Sequence, residues 1–576
     1  MKTLAKGFLV LAAVLFALPA SSNAQTVVVN GIGSSALFLE LGEATSSSTS
    51  GLSAAPTCIW STKTAVTATD NSTYGGGKTE TGNAWVAWTP ATAGNNSTCG
   101  TISSTTKIYA YLQTDSVVGD RSLFNGSTIA NTGGSTANLI YSTSGTTIGT
   151  EWATLPTSVA GAFTTSVPVN VAGTDIRPED AEFATARALT TVGSNVGSWG
   201  PLSVSTNQYL GLGYNNGDSV ESDYSGSVFH VINFTLPTTF YTQPVGADPV
   251  VVAVSSTDAS GIGFNSSNIT NLNKSTLALY LDGTLGETRD ALTPGSTETT
   301  SNPTTVILRE PLSGTYNTVE YNVPNTLALG TSQDVGEDQL ASQKNNPATL
   351  PAGSTWNPLH IQNATWGNLR RRAIGTGQEI NALFGTGGLT APENGLGYAF
   401  WGVSNFAPAA SSTSTIKYLT IDGVDPLFAN YTAGVIPTTT TELASVNFPH
   451  IKDGTYPIWS LIRLVYTNSS LSTTVLSLSE AAGKYTTSSH PDFVPYYVQS
   501  GLSYVVNLNV ERSHFIPSAG TIQPATPING ECAFQPIALT QEAGGDVGGV
   551  VIPCAVDADY YTATGTTPST YVNHRN

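Results

Sequence analysis

One short run constrains this chain more than any other: Val306–Tyr321, VILREPLSGTYNTVEY. Val306-Ile307-Leu308 is apolar and β-branched at two of its positions, which predicts a buried strand ending at Arg309. Ser313-Gly314-Thr315 follows and opens Tyr316–Asn322, a segment able to be helical. Ser313 and Thr315 are good helix-capping types, and Gly314 lets another group approach the backbone closely. A helix start presents unpaired N–H groups and a partial positive charge. Arg309 adds a planar fork of donors shaped for an oxyanion. The pattern therefore suits a phosphate-like ligand. The plainer alternative is that Ser313 only caps the helix and Arg309 only pairs with a surface carboxylate such as Glu310.

The same grammar recurs. Thr26–Asn30, TVVVN, is a strand that runs into Gly31-Ile32-Gly33-Ser34-Ser35 and then into Ala36–Ala44, where Leu37, Leu41 and Ala44 sit at helical spacing. Free amides from Gly33 to Ala36, with the Ser34 and Ser35 hydroxyls, form a second potential anion cradle. An ordinary strand-to-helix turn would use the same residues. A third turn spans Gly173–Asp180, where Pro178 suits the first helical position and the predicted helix runs on through Leu189. Asp175 lies just before it. A turn role is the ordinary reading; the functional one is a carboxylate accepting a hydrogen bond from a protonated oxyanion. Lys107–Gln113 reads as a strand. After it, Asp115, Ser116 and Arg121 are candidates to face the same site, against a turn with a surface salt bridge.

Other resemblances to motifs are weaker. Gly77-Lys78-Thr79 looks like the end of a phosphate-binding loop but lacks its first glycine. Gly217-Asp218-Ser219-Val220 looks like a hydrolase nucleophile motif, yet it continues an Asn-Asn run better explained as a turn. Arg370-Arg371-Arg372 leads into Ala373–Gly377, a basic, glycine-rich turn before a possible helix over Gln378–Leu383. It either adds positive field to a cleft or lies in a solvated surface loop.

The chain has 576 residues and a net charge of −18, with only 10% charged residues. Nucleic acid is a poor partner for such a surface, because its phosphates need Lys and Arg. A small anion is not excluded, since a local pocket can be positive. The polarity comes from Ser, Thr, Asn and 57 glycines, which favours strands, turns and long loops. Lys2 and Lys6, the apolar Gly7–Leu18 and the small residues ending at Ala24 predict an export signal over residues 1–24, cut before Gln25. The four cysteines suit that compartment, and sequence proximity favours Cys58–Cys99 and Cys532–Cys554.

The order of these pieces resembles the phosphate-binding proteins of ABC transporters, a family of type 2 periplasmic binding proteins. The family's opening glycine-serine turn is matched by Gly31–Ser35, its Asp-containing turn by Asp175, and its crossover strand by Pro249–Val254. A short helix ending in glycine is matched by Ser275–Gly283, and the family's R-x-x-x-S-G-T by Arg309, Ser313, Gly314 and Thr315. Gly395–Tyr398 and Tyr418–Asp425 are similar to the strands that follow. The chain departs from the family in its length, in Ala36-Leu37-Phe38 where an aromatic and a proline are usual, and in offering only Ser116 or Ser122 for a further serine ligand.

The resemblance implies an α/β chain with a two-lobed type 2 periplasmic-binding-protein fold and β-rich Ser/Thr/Gly insertions. Lobe one would take residues 25–247 and 406–576, and lobe two 248–405, with Phe240–Ser256 as hinge. It implies an exported solute-binding protein that captures phosphate or a related oxyanion between the lobes, with an ABC permease as possible partner. Gly33, Ser34, Ser35, Ala36, Asp175, Arg309, Ser313, Gly314 and Thr315 would bind the ligand. No catalytic residue, metal or cofactor is called for. The alternatives are an exported surface or scaffold protein that keeps the fold without a ligand, and an exported hydrolase using Ser219.

Overall fold

The computed structural model describes residues 26–46, 58–70, 78–91, 99–124, 139–140, 155–156, 158–159, 162, 167–178, 181, 236–237, 239–258, 263–281, 285, 287–292, 304–309, 313–323, 360–362, 369–373, 375–386, 391–411, 416–488, 491–501, 503–508, 510–513, 520–522, 537–539 and 550–553. The expected export signal, the Cys532–Cys554 pair, Ser219 with its motif and most of the helix expected after Pro178 lie outside these residues.

The described chain is a mixed α/β protein organised on one fourteen-stranded sheet. In its first half, β1 (Thr26–Ser34) runs parallel to the strand on either side of it. β2 (Cys58–Asp70) and β3 (Lys78–Trp88) form an antiparallel hairpin against β4 (Lys107–Thr114), and β4 pairs with β1. The short β5 (Leu139–Ile140) closes that edge, and β6 (Val171–Thr174) flanks β1 on its other side. Lys78 and Thr79 open β3, so the sequence likeness to a phosphate-binding loop belongs to a strand start.

β7 (Tyr241–Ser256) ties the sheet together. Its VVVAV run is β-branched and buried on both faces, as a central strand demands. β8 (Asn271–Leu272) stands apart, whereas β9 (Thr305–Arg309), β10 (His360–Gln362), β11 (Leu369–Ala373) and β12 (Asn394–Phe400) build the second half of the sheet. β13 (Ile416–Tyr418) adds to β7, and β14 (Thr420–Ile421) pairs with β8. β15 (Trp459–Tyr466) and β16 (Val494–Pro495) return to the first half. Residues 241–249 of β7 pair with β15, and residues 250–256 pair with β12. The changeover falls at Pro249, whose missing N–H costs no ladder bond, while its carbonyl accepts from Trp401 N at 2.9 Å.

Three buried clusters fill the space around this sheet. Ile32, Trp60, Leu112 and Val118 lie on one face of the first half, and Leu37, Trp85, Tyr111 and Leu464 on the other. Val250–Val254 share the third core with Leu308, Tyr316 and Leu396, and also with Tyr418, Phe448 and Tyr456. Residues well beyond 405 thus pack with the strands of the second half.

Cys58 and Cys99 are bonded as expected and fully buried against Trp60 and Trp88. Two expected turns are regular elements instead. The segment after Asp115 is a helix, Ser116–Phe124, in which Arg121 is buried rather than in a surface salt bridge. Weak helix formers, Val117-Val118-Gly119, hide it from propensity, and tertiary packing overrides them: Gly119 sits where any Cβ would lie 2.8 Å from Gly33 Cα. Arg370–Arg372 lie in β11, paired in parallel with β9 at Val306–Leu308, and the helix begins at Gly375. There the backbone ladder decides the conformation of a run whose charge suggested a loop.

Candidate functional site

Four strand ends and the helix starts after them converge on Arg309. β9 delivers Arg309, and Ser313 caps the helix Gly314–Asn322 by accepting from Tyr316 N. β1 delivers Ser34 and Ser35: the Ser34 hydroxyl accepts from Ala36 N at 3.1 Å, and a short 3-10 turn, Ser35–Leu37, leads into the helix Phe38–Ser46. β4 delivers Asp115 and the helix Ser116–Phe124. β11 delivers Thr376, in the first turn of the helix Gly375–Phe384.

These pieces touch. Arg309 is 2% exposed. Its Nη2 donates to Asp115 Oδ1 at 3.1 Å, and its Nη1 donates to Thr376 Oγ1 at 2.9 Å and to Thr315 Oγ1 at 3.3 Å. Nε stands 3.9 Å from the buried Glu379 carboxylate. The Thr376 hydroxyl also lies 3.3 Å from that of Ser35. Tyr398 Oη accepts from the Arg309 backbone N–H at 3.3 Å, which fixes the end of β9. The guanidinium is thus held rigidly, and its charge is shared with Asp115 and Glu379 on the protein side.

Asp175, after β6, meets the same centre. It is 4% exposed, and its Oδ1 has no hydrogen-bond partner. The Ser116 hydroxyl accepts from Asp175 N at 3.0 Å, and Ser460 Oγ donates to the Asp175 carbonyl. Burial pushes the Asp175 carboxyl up to about 6, although hydrogen bonds from Ser34 and Ser116 and the charge of Arg309 pull the other way. Gly314 completes the contact: a Cβ there would lie 2.4 Å from Ser116 Oγ and 2.6 Å from Asp175 Oδ2. Only glycine lets this helix start come so close. Gly33 is equally constrained, since at φ +138° its Cβ would lie 2.0 Å from the Gly173 carbonyl oxygen.

The structure therefore brings Ser34, Ser35, Asp175, Arg309, Gly314 and Thr315 together, with Gly33 and Ser313 shaping the turns. It adds Asp115, Thr376, Glu379 and Tyr398. Thr376 was legible in principle, because Gly375-Thr376-Gly377 repeats the glycine–hydroxyl helix start seen after β9. Of the two further serine candidates, Ser116 borders the site, whereas the Ser122 hydroxyl donates to Val118 O within its helix. Among the described residues no group of three or more His, Cys, Asp or Glu is arranged to hold a metal ion, and no helix is long and apolar enough to cross a membrane.

No family model matches the chain, and no curated protein matches it. Solved structures do. A high-affinity periplasmic phosphate-binding protein, solved at subatomic resolution with phosphate bound, is 13% identical over 81% of this chain and 90% of its own, with a TM-score of 0.31. PstS from Borrelia burgdorferi is 13% identical over 45% of this chain and 73% of its own, with a TM-score of 0.25. An ABC-type phosphate transport receptor from Vibrio cholerae is 12% identical over 44% of this chain and 71% of its own, with a TM-score of 0.24.

Proposed function

We propose that this chain is an exported solute-binding protein that takes up a tetrahedral oxyanion, phosphate or a close relative, at Arg309. The observation that carries the reading is the buried meeting of Arg309 with the starts of several helices, opposite a buried carboxyl, Asp175, with an unpartnered oxygen. Amides at helix starts and the hydroxyls of Ser35, Thr315 and Thr376 offer donors without mobile charge, while Ser34 and Ser116 hold Asp175. Asp115 and Glu379 orient Arg309, so discrimination falls to Asp175. A ligand that carries a proton can donate it to this carboxylate; sulfate cannot. The two halves of the sheet act as lobes, with β7 and β15 as the strands between them, and close around the ligand. Delivery to an ABC permease is the transport role this reading implies.

The test is calorimetry of phosphate binding to the mature chain stripped of anion, beside Arg309→Ala, with sulfate as control. Binding that collapses in the variant, with sulfate excluded, supports the reading. A folded wild-type chain that binds neither anion sinks it and favours a scaffold role.

A further inference from the structure

Next to the oxyanion centre lies a small cavity, and its chemistry is opposite. Ser35, Ala36 and Thr376 form the wall it shares with the first site. Beyond them its lining turns acidic and aromatic, with Glu40, Asp492 and Trp401. Glu40 lies in the first turn of the helix Phe38–Ser46, directly after the 3-10 turn that carries Ala36. Asp492 is strapped in place: its Oδ1 accepts from Val403 N at 2.8 Å, and the neighbouring Pro491 carbonyl accepts from Trp401 Nε1 at 2.8 Å. Trp401 is stacked on Phe406 at 5.3 Å.

Two carboxyl groups here are buried, Glu40 at 2% and Asp492 at 5% exposure. Asp492 lies close enough to raise the Glu40 carboxyl, and Glu40 Oε1 has no hydrogen-bond partner. A third carboxyl, Asp248 of β7, adds its charge from nearby, and both of its oxygens are without partners. Burial first, and Asp492 second, hold the Glu40 carboxyl well above the usual carboxylate range. Glu40 therefore favours its neutral form until something cationic lies beside it. A metal ion is a poor candidate, since no described group of acidic or imidazole side chains is arranged to hold one. An ammonium group fits better: it donates in several directions, and an indole face is attractive to it.

We propose that this cavity is an amine subsite and that the preferred ligand is an aminoalkyl phosphate or phosphonate, its phosphoryl group at Arg309 and Gly314 and its ammonium between Glu40 and Asp492. This rests on the oxyanion reading and deepens it. Thr376 links the subsites, because its hydroxyl binds Arg309 and its side chain borders the acidic cavity. A short alkyl tether would run past Ser35 and Thr376, which border the oxyanion centre and the acidic cavity alike. The net acidity of the pocket then has a purpose, since a bare dianion next to these carboxyls is repelled while a zwitterion is not.

Calorimetry on the full stripped chain tests it with three probes: inorganic phosphate, ethyl phosphate and phosphoethanolamine. Ethyl phosphate has the tether without the charge. Phosphoethanolamine should bind at least about tenfold tighter than ethyl phosphate, as a charge-assisted contact with buried carboxyls requires. Glu40→Gln, and separately Asp492→Asn, should shrink that ratio towards one, with thermal melts confirming that each variant folds. Equal affinity of the two esters for the wild-type chain overturns the proposal without needing a variant, and so does a preference that survives both substitutions. Inorganic phosphate separates the readings: if it alone binds, the amine subsite fails and the oxyanion site stands. If no probe binds, both fall.

Discussion

Arg309 and Asp115 form a 3.1 Å ion pair across 194 positions of sequence, joining the end of β9 to the end of β4 and so one half of the sheet to the other. The arginine is buried and the aspartate nearly so. Removing one partner of a buried pair costs about 3–5 kcal/mol when the other charge is left uncompensated, and here Glu379, 3.9 Å from Arg309 Nε, still offsets part of it. Asp115→Ala is therefore expected to destabilise the protein by less than the full amount, towards the low end of that range. Adding Arg309→Ala should recover part of the loss, because the less compensated charge goes too. A double-mutant cycle by denaturant unfolding measures this, and strictly additive effects would show that the pair contributes nothing.

Gly314 makes the sharpest steric prediction. Alanine adds one methyl group, yet here it would meet Ser116 Oγ and Asp175 Oδ2 at well under van der Waals distance. Overpacking of this kind costs about 1–3 kcal/mol. The strain is local to the contact, so Gly314→Ala should bind phosphate at least about tenfold more weakly, by calorimetry, while its core stays folded by circular dichroism. Ser116→Gly in the same chain should restore part of the binding by making room. A Gly314→Ala variant with wild-type affinity would mean that the helix start does not approach the ligand.

Much of this site was legible because its grammar is local. A strand, a small-residue turn and a helix start can be read from a dozen residues, and Ser34, Ser35, Arg309, Ser313 and Gly314 are found that way. The segment after Asp115 was not readable as a helix, because Val117-Val118-Gly119 is a poor helix former whose conformation is set by packing on Gly33 and Gly173. The role of β7 was partly legible from its composition, but its sharing between β12 and β15 depends on partners that follow it at long range in the sequence, β15 farther than β12. The partners of Arg309 show the same limit, since Asp115 and Glu379 reach it only through the sheet order.

The Cys58–Cys99 bridge closes a loop with a sequence separation of 41. In the chain-entropy account such a loop is worth about 4 kcal/mol, through restriction of the unfolded chain. Replacing both cysteines by serine should lower the unfolding free energy by roughly that amount. It also buries hydroxyls among Trp60, Trp88 and Ala84, so Cys→Ala at both positions is the better test. Cys58 pairs with Trp88, which lies opposite Ile108 at the start of β4, whereas Asp115 follows the end of that strand. Oxyanion affinity in the folded variant should therefore not change. Denaturant unfolding with and without reductant reads the first effect, and calorimetry the second.

Asp175 yields a prediction in pH. Its carboxyl stands at about 6 in the folded protein, chiefly because it is buried, against an ordinary value of 3.8. Between those values the native state holds a proton that the unfolded chain has released. This group therefore adds stability as pH falls through 6, and above 6 the ionised form costs stability. Asp175→Asn removes that cost and should be the more stable protein at pH 8. Ligand choice runs with the same titration. Above pH 6 the carboxylate accepts from a protonated oxyanion and repels sulfate; below it, the neutral carboxyl donates and tolerates sulfate. Competition calorimetry should show the affinity of sulfate relative to phosphate rising at least about tenfold between pH 8 and pH 5, since each tenfold change in proton activity is worth about 1.4 kcal/mol to a binding step that takes up one proton. In Asp175→Asn the amide donates at every pH, so sulfate should bind at pH 8 and the ratio should stay flat. A ratio that moves with pH just as much in the variant would assign the titration to another group and remove Asp175 from the discrimination.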